Sequence, residues 1–284
     1  MGFSENLLVA LNRGFKLPVH PFNLQNDGAK TYAEWQFEKG AETLRFYLAF
    51  ASADEMFRGK TVLDVGCGAA GKTVYYATLG ARRVVGLEIL EKYRAEADAL
   101  AAQKGCADRF EFVCADAKDT GLPAASFDTV IMNDAVEHVG DPEAVLRECL
   151  RLTAPGGRLY LNFPPYYHPY GAHLSDAVAV PWVHAFFSER TLVPVYKRLV
   201  RGLPDEAERI DFRISTRPDG TEYFSYINHM TIRRFRRILS ALPARCPYYF
   251  EAPLRGFLTG PARLPGLKEF FVKMVVAVLE PVAA

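Results

Sequence analysis

The segment Thr61-Val62-Leu63-Asp64-Val65-Gly66-Cys67-Gly68-Ala69-Ala70-Gly71-Lys72-Thr73 decides the fold of this 284-residue chain. A short apolar run enters a glycine-rich turn, and a helical pattern follows over 72–79. The same alternation continues downstream. Val84–Leu87, Phe110–Cys114, Thr129–Met132 and Arg158–Phe163 are further short apolar runs, with helix-like segments at 91–104 and 142–152. Strands alternating with helices define an α/β fold, a doubly wound Rossmann-like sheet with helices on both faces. Pro155-Gly156-Gly157 reads as the sharp turn that ends one helix and launches the next strand.

The glycine turn fits three nucleotide-site patterns. Gly66-x4-Gly71-Lys72-Thr73 matches the phosphate-binding loop, with Asp134 as a second, magnesium-binding acid. Gly66-x-Gly68-x-x-Gly71 matches the dinucleotide fingerprint, with Glu88 ending the next strand. The third pattern is acid-x-Gly-x-Gly, starting at Asp64. Asp64 separates the three. A loop that hugs phosphate is opposed by a carboxylate close by, whereas S-adenosylmethionine carries an ammonium, a sulfonium and a ribose but no phosphate. Lys72 then reads as a solvated residue of the first helical turn. Glu88 can accept both ribose hydroxyls, and Asp116, after the third strand, can accept from an adenine amino group. Three acids at successive strand ends line the crevice where open α/β sheets bind ligands.

On VLDVGCG (62–68), GLE (86–88), CADA (114–117), SFDTVIMNDAVEHV (126–139) and LTAPGGRLYLNF (152–163), the chain resembles the class I S-adenosylmethionine-dependent methyltransferases of the small-molecule, type 11-like kind. The resemblance covers 60–163 and weakens before 58 and between 165 and 225. It implies a seven-stranded sheet whose last strand, near Val272–Glu280, is antiparallel. It implies S-adenosyl-L-methionine as cofactor, contacted by Asp64, Gly66, Gly68, Glu88, Ile89, Asp116, Ala117 and Asn133. It implies an enzyme that moves a methyl group to a small-molecule acceptor, O- or C-directed by preference, with N-directed transfer open. A nicotinamide-dependent oxidoreductase, a P-loop NTPase and a cofactor-binding protein without an acceptor pocket are the rival readings. One departure is Ala70, where many relatives carry glycine; Gly71 is expected to supply the slack.

Four segments organise the chain: an N-terminal helical cap (1–58), the cofactor-binding core (59–163), a substrate-covering insertion (164–225) and the C-terminal part of the sheet (226–284). Residues 34–57 have the pattern of one amphipathic helix. Tyr32 and Trp35, with Phe37, offer an aromatic face suited to a sulfonium, and Asn26-Asp27-Gly28 is a candidate hinge. Over 164–225 no clean strand–helix unit is seen, yet aromatic residues persist, which suits a lid over an apolar or aromatic acceptor. A helix is expected over Thr231–Leu242 and a strand over Glu269–Glu280. Methyl transfer needs alignment and desolvation first, and a base only where the acceptor proton has a high pKa. His138 is one catalytic candidate, although Glu137-His138 also suits the opening of a helix. Tyr166 and His173, just after the fifth strand, are the others. His168, His173 and His184 have no zinc spacing, so no metal is expected.

The formal net charge of +1 argues against a nucleic-acid partner, and Arg233, Arg234, Arg236 and Arg237 read as a solvated helix face. The five cysteines form no CxxC pair, which favours free thiols in a reducing compartment. The start, MGFSENLLVALNRG, lacks the form of a signal peptide, and no apolar stretch is long enough to span a bilayer. A cytoplasmic protein is expected, with oligomerisation left open.

Overall fold

A computed structural model of the chain describes residues 2–282; Met1 and the last two residues of the 226–284 segment lie outside the described residues. In chain order, α1 (Phe3–Asn12), α2 (Pro21–Asn26), α3 (Tyr32–Leu44) and α4 (Ala53–Phe57) precede β1 (Thr61–Val65). Then come α5 (Gly71–Thr78), β2 (Arg83–Glu88), α6 (Arg94–Gln103), β3 (Phe110–Cys114), β4 (Phe127–Asn133), α7 (Pro142–Leu152) and β5 (Thr153–Phe163). The second half holds α8 (Val183–Phe186), α9 (Glu189–Val200), α10 (Glu206–Arg213), β6 (Ile214–Thr216), β7 (Glu222–Phe224), α11 (Ile232–Ala241), β8 (Ala244–Pro253), α12 (Lys268–Phe271) and β9 (Val272–Pro281). These elements form two compact units. The sheet unit is Thr31–Phe163, Ile232–Ala252 and Met274–Ala284; the helical unit is Met1–Lys30, Pro164–Thr231 and Pro253–Lys273.

The sheet unit carries seven strands in the order β3-β2-β1-β4-β5-β9-β8. β1 pairs in parallel with β2 on one side and β4 on the other, and β9 runs antiparallel to β5. All five residues of β1 are buried, the mark of a strand covered on both faces. The order reverses beside β1, so the topological switch point lies at its C-terminal end, where the glycine turn begins. Phe57 stacks on Tyr76 with centroids 4.8 Å apart, in a core with Leu44, Met56, Val62 and Ile131.

Several sequence expectations change in detail. The helix expected over 34–57 is two helices, α3 and α4, because Ser52 and Glu55 form a capping box that starts a new helix. Pro155-Gly156-Gly157 lies inside β5 as a bulge; the pairing steps from Phe127–Thr153 to Thr129–Arg158. The tail forms a strand only from Val272, after the short helix α12. β8 has no counterpart in the sequence reading. Its mixed burial and internal Pro247 blur the apolar run that marks a strand.

The helical unit departs most. Residues 164–225 hold three helices and the β6–β7 hairpin, and α9 runs for 12 residues with Pro194 inside it. An interior proline removes a helical hydrogen bond, which hides α9 from pattern reading. α1 lies in the same unit: Asn12 donates from Nδ2 to the Ala177 carbonyl at 3.1 Å, and its Oδ1 accepts from the Ala179 N–H at 2.7 Å. Leu8, Val178, Leu192, Tyr196 and Phe224 share the core.

A buried ion cluster centres this unit. The Asp176 carboxylate accepts from Tyr196 Oη at 2.8 Å and pairs with Arg209 Nη1 at 3.0 Å and Arg213 Nη2 at 3.1 Å. Arg209 also pairs with Asp205 at 2.8 Å, and the Phe22 ring lies against both guanidinium groups. Both arginines are 1% exposed, so each charge depends on its carboxylate. Asp176→Ala should cost about 3–5 kcal/mol in urea unfolding, as expected for a buried ion pair stripped of one partner. A loss below about 1 kcal/mol would remove Asp176 from that role.

His168 supplies a second test. Burial, with smaller contributions from Lys273 and His184, lowers its pKa from 6.5 to about 4. Between those values the unfolded chain binds the proton and the folded one does not. The His168 contribution is therefore constant above about pH 6.5 and turns unfavourable as pH falls toward 4, with a limiting slope of about 1.4 kcal/mol per pH unit. His168→Gln should flatten unfolding free energy against pH in that window.

Candidate cofactor site

The site is assembled at the C-terminal ends of β1 to β4. Gly66 and Cys67 donate their N–H groups to the Leu87 carbonyl at 2.8 and 3.1 Å, pinning the turn to the end of β2. Gly66 and Gly68 have φ of 72° and 56°, the left-handed region that glycine reaches without strain. Ala70 also takes φ 58°, as the N-cap of α5. The slack expected of Gly71 is thus supplied by Ala70 itself, in a conformation costly for an L-residue. Gly71 is needed for space instead: a Cβ there would lie 2.0 Å from the Ala33 carbonyl oxygen of α3.

Asp64 lies beneath the turn, 3% exposed, and accepts from Thr73 Oγ1 at 2.7 Å. Burial raises its pKa to about 6, against the opposing pull of the Thr73 bond and Lys72. Glu88, at the end of β2, accepts from Gly68 N–H at 2.9 Å, Ile89 N–H at 2.9 Å and Leu90 N–H at 3.1 Å. Two carboxylate oxygens offer about four lone-pair sites, so one remains for a hydroxyl. Ile89 beside it is 63% exposed, an apolar surface in the open. Asp116 follows β3 and accepts from Lys118 N–H at 3.0 Å, with Ala117 half-buried beside it.

Lys72 is not solvated, as the sequence reading had it. Its ammonium pairs with Asp134 at 3.1 Å, with 13% of the side chain exposed. This salt bridge spends the lysine that a phosphate loop would need, and the magnesium-binding acid as well. The acceptor set of Asp64, Glu88 and Asp116 fits a ligand with an ammonium and hydroxyls better than a polyphosphate.

Three further placements qualify the sequence reading. Asn133, at the end of β4, turns its side chain into the core: its Nδ2 donates to Tyr76 Oη at 3.1 Å, and its Oδ1 accepts from Tyr47 Oη and from Asn162 Nδ2 at 2.7 Å. A cofactor contact from Asn133 would fall to its main chain. Glu137-His138 lies in a turn, not at a helix start; α7 begins at Pro142, capped by Asp141. Glu137 is 3% exposed, and burial, with Asp134 nearby, raises its pKa well above the carboxylate range. His138 Nε2 lies 3.9 Å from Glu137 Oε1.

Tyr32 and Trp35 start α3 and stack with centroids 6.2 Å apart, Tyr32 also meeting Tyr93 at 5.8 Å. A Cβ at Gly68 would lie 3.1 Å from the Tyr32 ring, so Tyr32 borders the glycine turn. Gln36, not singled out from sequence, clamps the same turn: Nε2 donates to the Cys67 carbonyl and Oε1 accepts from Gly71 N–H, both at 3.1 Å. A buried glutamine one helical turn from Tyr32 leaves no pattern that a lone sequence reveals. Tyr166 and His173 belong to the helical unit. Tyr166 stacks on His229, while the His173 carbonyl accepts from Tyr226 Oη at 3.0 Å and its φ is 53°.

Strand order, antiparallel seventh strand and acid-bordered glycine turn together define the class I S-adenosylmethionine-dependent methyltransferase fold. Residues 63–161 match the family model described as a methyltransferase domain. Tocopherol O-methyltransferase of Arabidopsis thaliana is 31% identical over 151 residues, 53% of this chain and 42% of that protein. Ubiquinone biosynthesis O-methyltransferase of Ralstonia nicotianae is 36% identical over 104 residues, 37% of this chain and 43% of that protein. The matched region is thus less than half the length of these curated relatives. An S-adenosylmethionine-dependent methyltransferase structure from Mesorhizobium loti shares the fold at TM-score 0.50 and 18% identity, covering 89% of this chain and 99% of that one.

The Asn133 network predicts a stability effect. Asn133→Ala would leave Tyr47, Tyr76 and Asn162 short of partners in the core and should cost at least about 1–3 kcal/mol in chemical denaturation. An unchanged midpoint would show that the network carries no stability.

Proposed function

We propose that the chain is an S-adenosylmethionine-dependent methyltransferase acting on a small-molecule acceptor, at oxygen or carbon by preference and at nitrogen as the third choice. The observation that carries this reading is the anionic glycine turn at the switch point, with Lys72 committed to Asp134. The names of the two relatives, both O-methyltransferases, support the oxygen preference. Bound S-adenosylmethionine supplies an activated methyl group, so the chain's own residues have to bind, orient and exclude water. Asp64 suits the ammonium side through the turn, Glu88 one ribose hydroxyl rather than the two expected from sequence, Asp116 the adenine amino group, and Ile89 the adenine face. Tyr32 and Trp35 offer aromatic cover to the sulfonium.

On the acceptor side, His138, Tyr166 and His173 are the proposed catalytic candidates, and the 164–225 segment is the proposed source of specificity for an apolar or aromatic acceptor. Among the described residues no helix is long and apolar enough to cross a membrane, and a cytoplasmic setting agrees with the five free cysteines.

S-adenosylhomocysteine should raise the melting temperature, while NADH and ATP should not, since only a ligand of the folded state stabilises it. Glu88→Ala should weaken S-adenosylhomocysteine binding by about 1.5–3 kcal/mol in calorimetry, the range for a hydrogen bond to a charged group. Stabilisation by ATP or NADH alone would replace this reading with one of its rivals.

A further inference from the structure

Within the helical unit, the chain leaving Phe163 sets two tyrosines against two histidines. Tyr166 stacks on His229 with centroids 4.3 Å apart and meets His184 at 4.8 Å. Tyr167 lies 6.3 Å from His184 and 5.0 Å from Phe270. The backbone holds the cluster in place. Tyr166 N–H donates to the Met230 carbonyl at 2.7 Å, and Trp182 Nε1 donates to the Phe270 carbonyl at 3.2 Å. Trp182 and His229 both adopt left-handed backbone, with φ of 55°. Strain of that kind persists only where surrounding packing enforces it, and it gathers at functional sites.

His184 is the unusual member. Both ring nitrogens are buried, and neither has a well-aligned hydrogen-bond partner. Burial lowers the His184 pKa to about 4, against the opposing pull of a hydrogen bond to the Tyr166 backbone. The ring is therefore neutral at pH 7: its N–H is directed to the Tyr166 main chain, and its lone pair is unmatched. Buried polar groups are almost always paired, so an unmatched lone pair between aromatic rings calls for a donor. A phenolic hydroxyl is such a donor. A flat apolar body carrying that hydroxyl is what the faces of Tyr166, Tyr167 and Phe270 would stack on.

We propose that Tyr166, Tyr167, His184 and Phe270 form a binding site for a hydroxyaromatic molecule whose hydroxyl bonds to the His184 imidazole. This deepens the reading of the helical unit as the source of acceptor specificity and rests on it. His184 is a positioning residue in this role, and the ligand class is phenolic.

The test uses the full chain and two fluorescent probes of one shape, 2-naphthol and 2-methoxynaphthalene, the second lacking the hydroxyl proton. The expected result is that 2-naphthol binds at least tenfold more tightly. His184→Phe should keep the 2-methoxynaphthalene affinity and abolish the discrimination, which a merely structural role for His184 would leave in place. Should His184→Phe fail to fold, His184→Gln, which keeps a donor and an acceptor, should show an intermediate ratio. Equal binding of the two probes, no binding of either, or an unaltered ratio in a folded variant overturns the proposal; in the first two cases water is the partner of His184. S-adenosylhomocysteine affinity, measured on the same samples, keeps the outcomes apart. Its absence in the unaltered chain defeats the methyltransferase reading, whatever the probes do.

Discussion

The hydrogen bond from Thr73 Oγ1 to the Asp64 carboxylate, 2.7 Å long, is the contact on which the sheet unit's site depends. It joins the last residues of the central strand to the first turn of the following helix, across a turn of five residues. Asp64 is buried, which disfavours its charge, and it sits at the switch point, where the strand order reverses. With the turn held, Gly68 N–H reaches Glu88 and Gln36 of α3 reaches Cys67 and Gly71. The acids of three strands then share one edge of the sheet, and the lone lysine of the turn is committed to Asp134.

Each unit also has its own buried polar hub, and the two are of different kinds. In the sheet unit, Asn133, Asn162, Tyr47 and Tyr76 exchange neutral hydrogen bonds between the ends of β4 and β5. Neutral groups cost less to desolvate than ions, and the hydrogen bonds they exchange here offset most of that cost, so the network rigidifies the core. In the helical unit the hub is ionic, with Asp176 between two arginines. Buried charges are weak sources of net stability, but they punish any arrangement that separates them. Asp176 lies 33 positions before Arg209, which shares α10 with Arg213, so the pairing specifies how this part of the chain folds back on itself.

The match to the methyltransferase domain covers 63–161, the stretch that ends with β5. What surrounds it is built from residues that precede and follow the match. Asn12 on α1 joins the main chain of 177–179, and α2 brings Phe22 to the arginines. The acid-bordered glycine turn lies in the matched part, and five of the six histidines lie outside it.

The sequence by itself determined the α/β class, the strand ends that carry Asp64, Glu88 and Asp116, and the choice of an acid-bordered turn over a phosphate loop. These are local facts: buried strands read as apolar runs, turns read as glycines, and the sign of a charge is independent of its surroundings. Tertiary structure decided the rest. Ala70 adopts the left-handed backbone that glycine would take, because α3 occupies the space beside Gly71. Asn133 faces the core because Tyr47, Tyr76 and Asn162 meet it there. Lys72 is paired because Asp134, 62 positions later, comes within 3.1 Å. α9 forms despite Pro194 because Leu192, Val195 and Tyr196 are buried in one core with Leu8 and Val9 of α1 and with Phe224 of β7. Each outcome turns on residues far apart in sequence, and long-range packing overrides local preference without leaving a local mark.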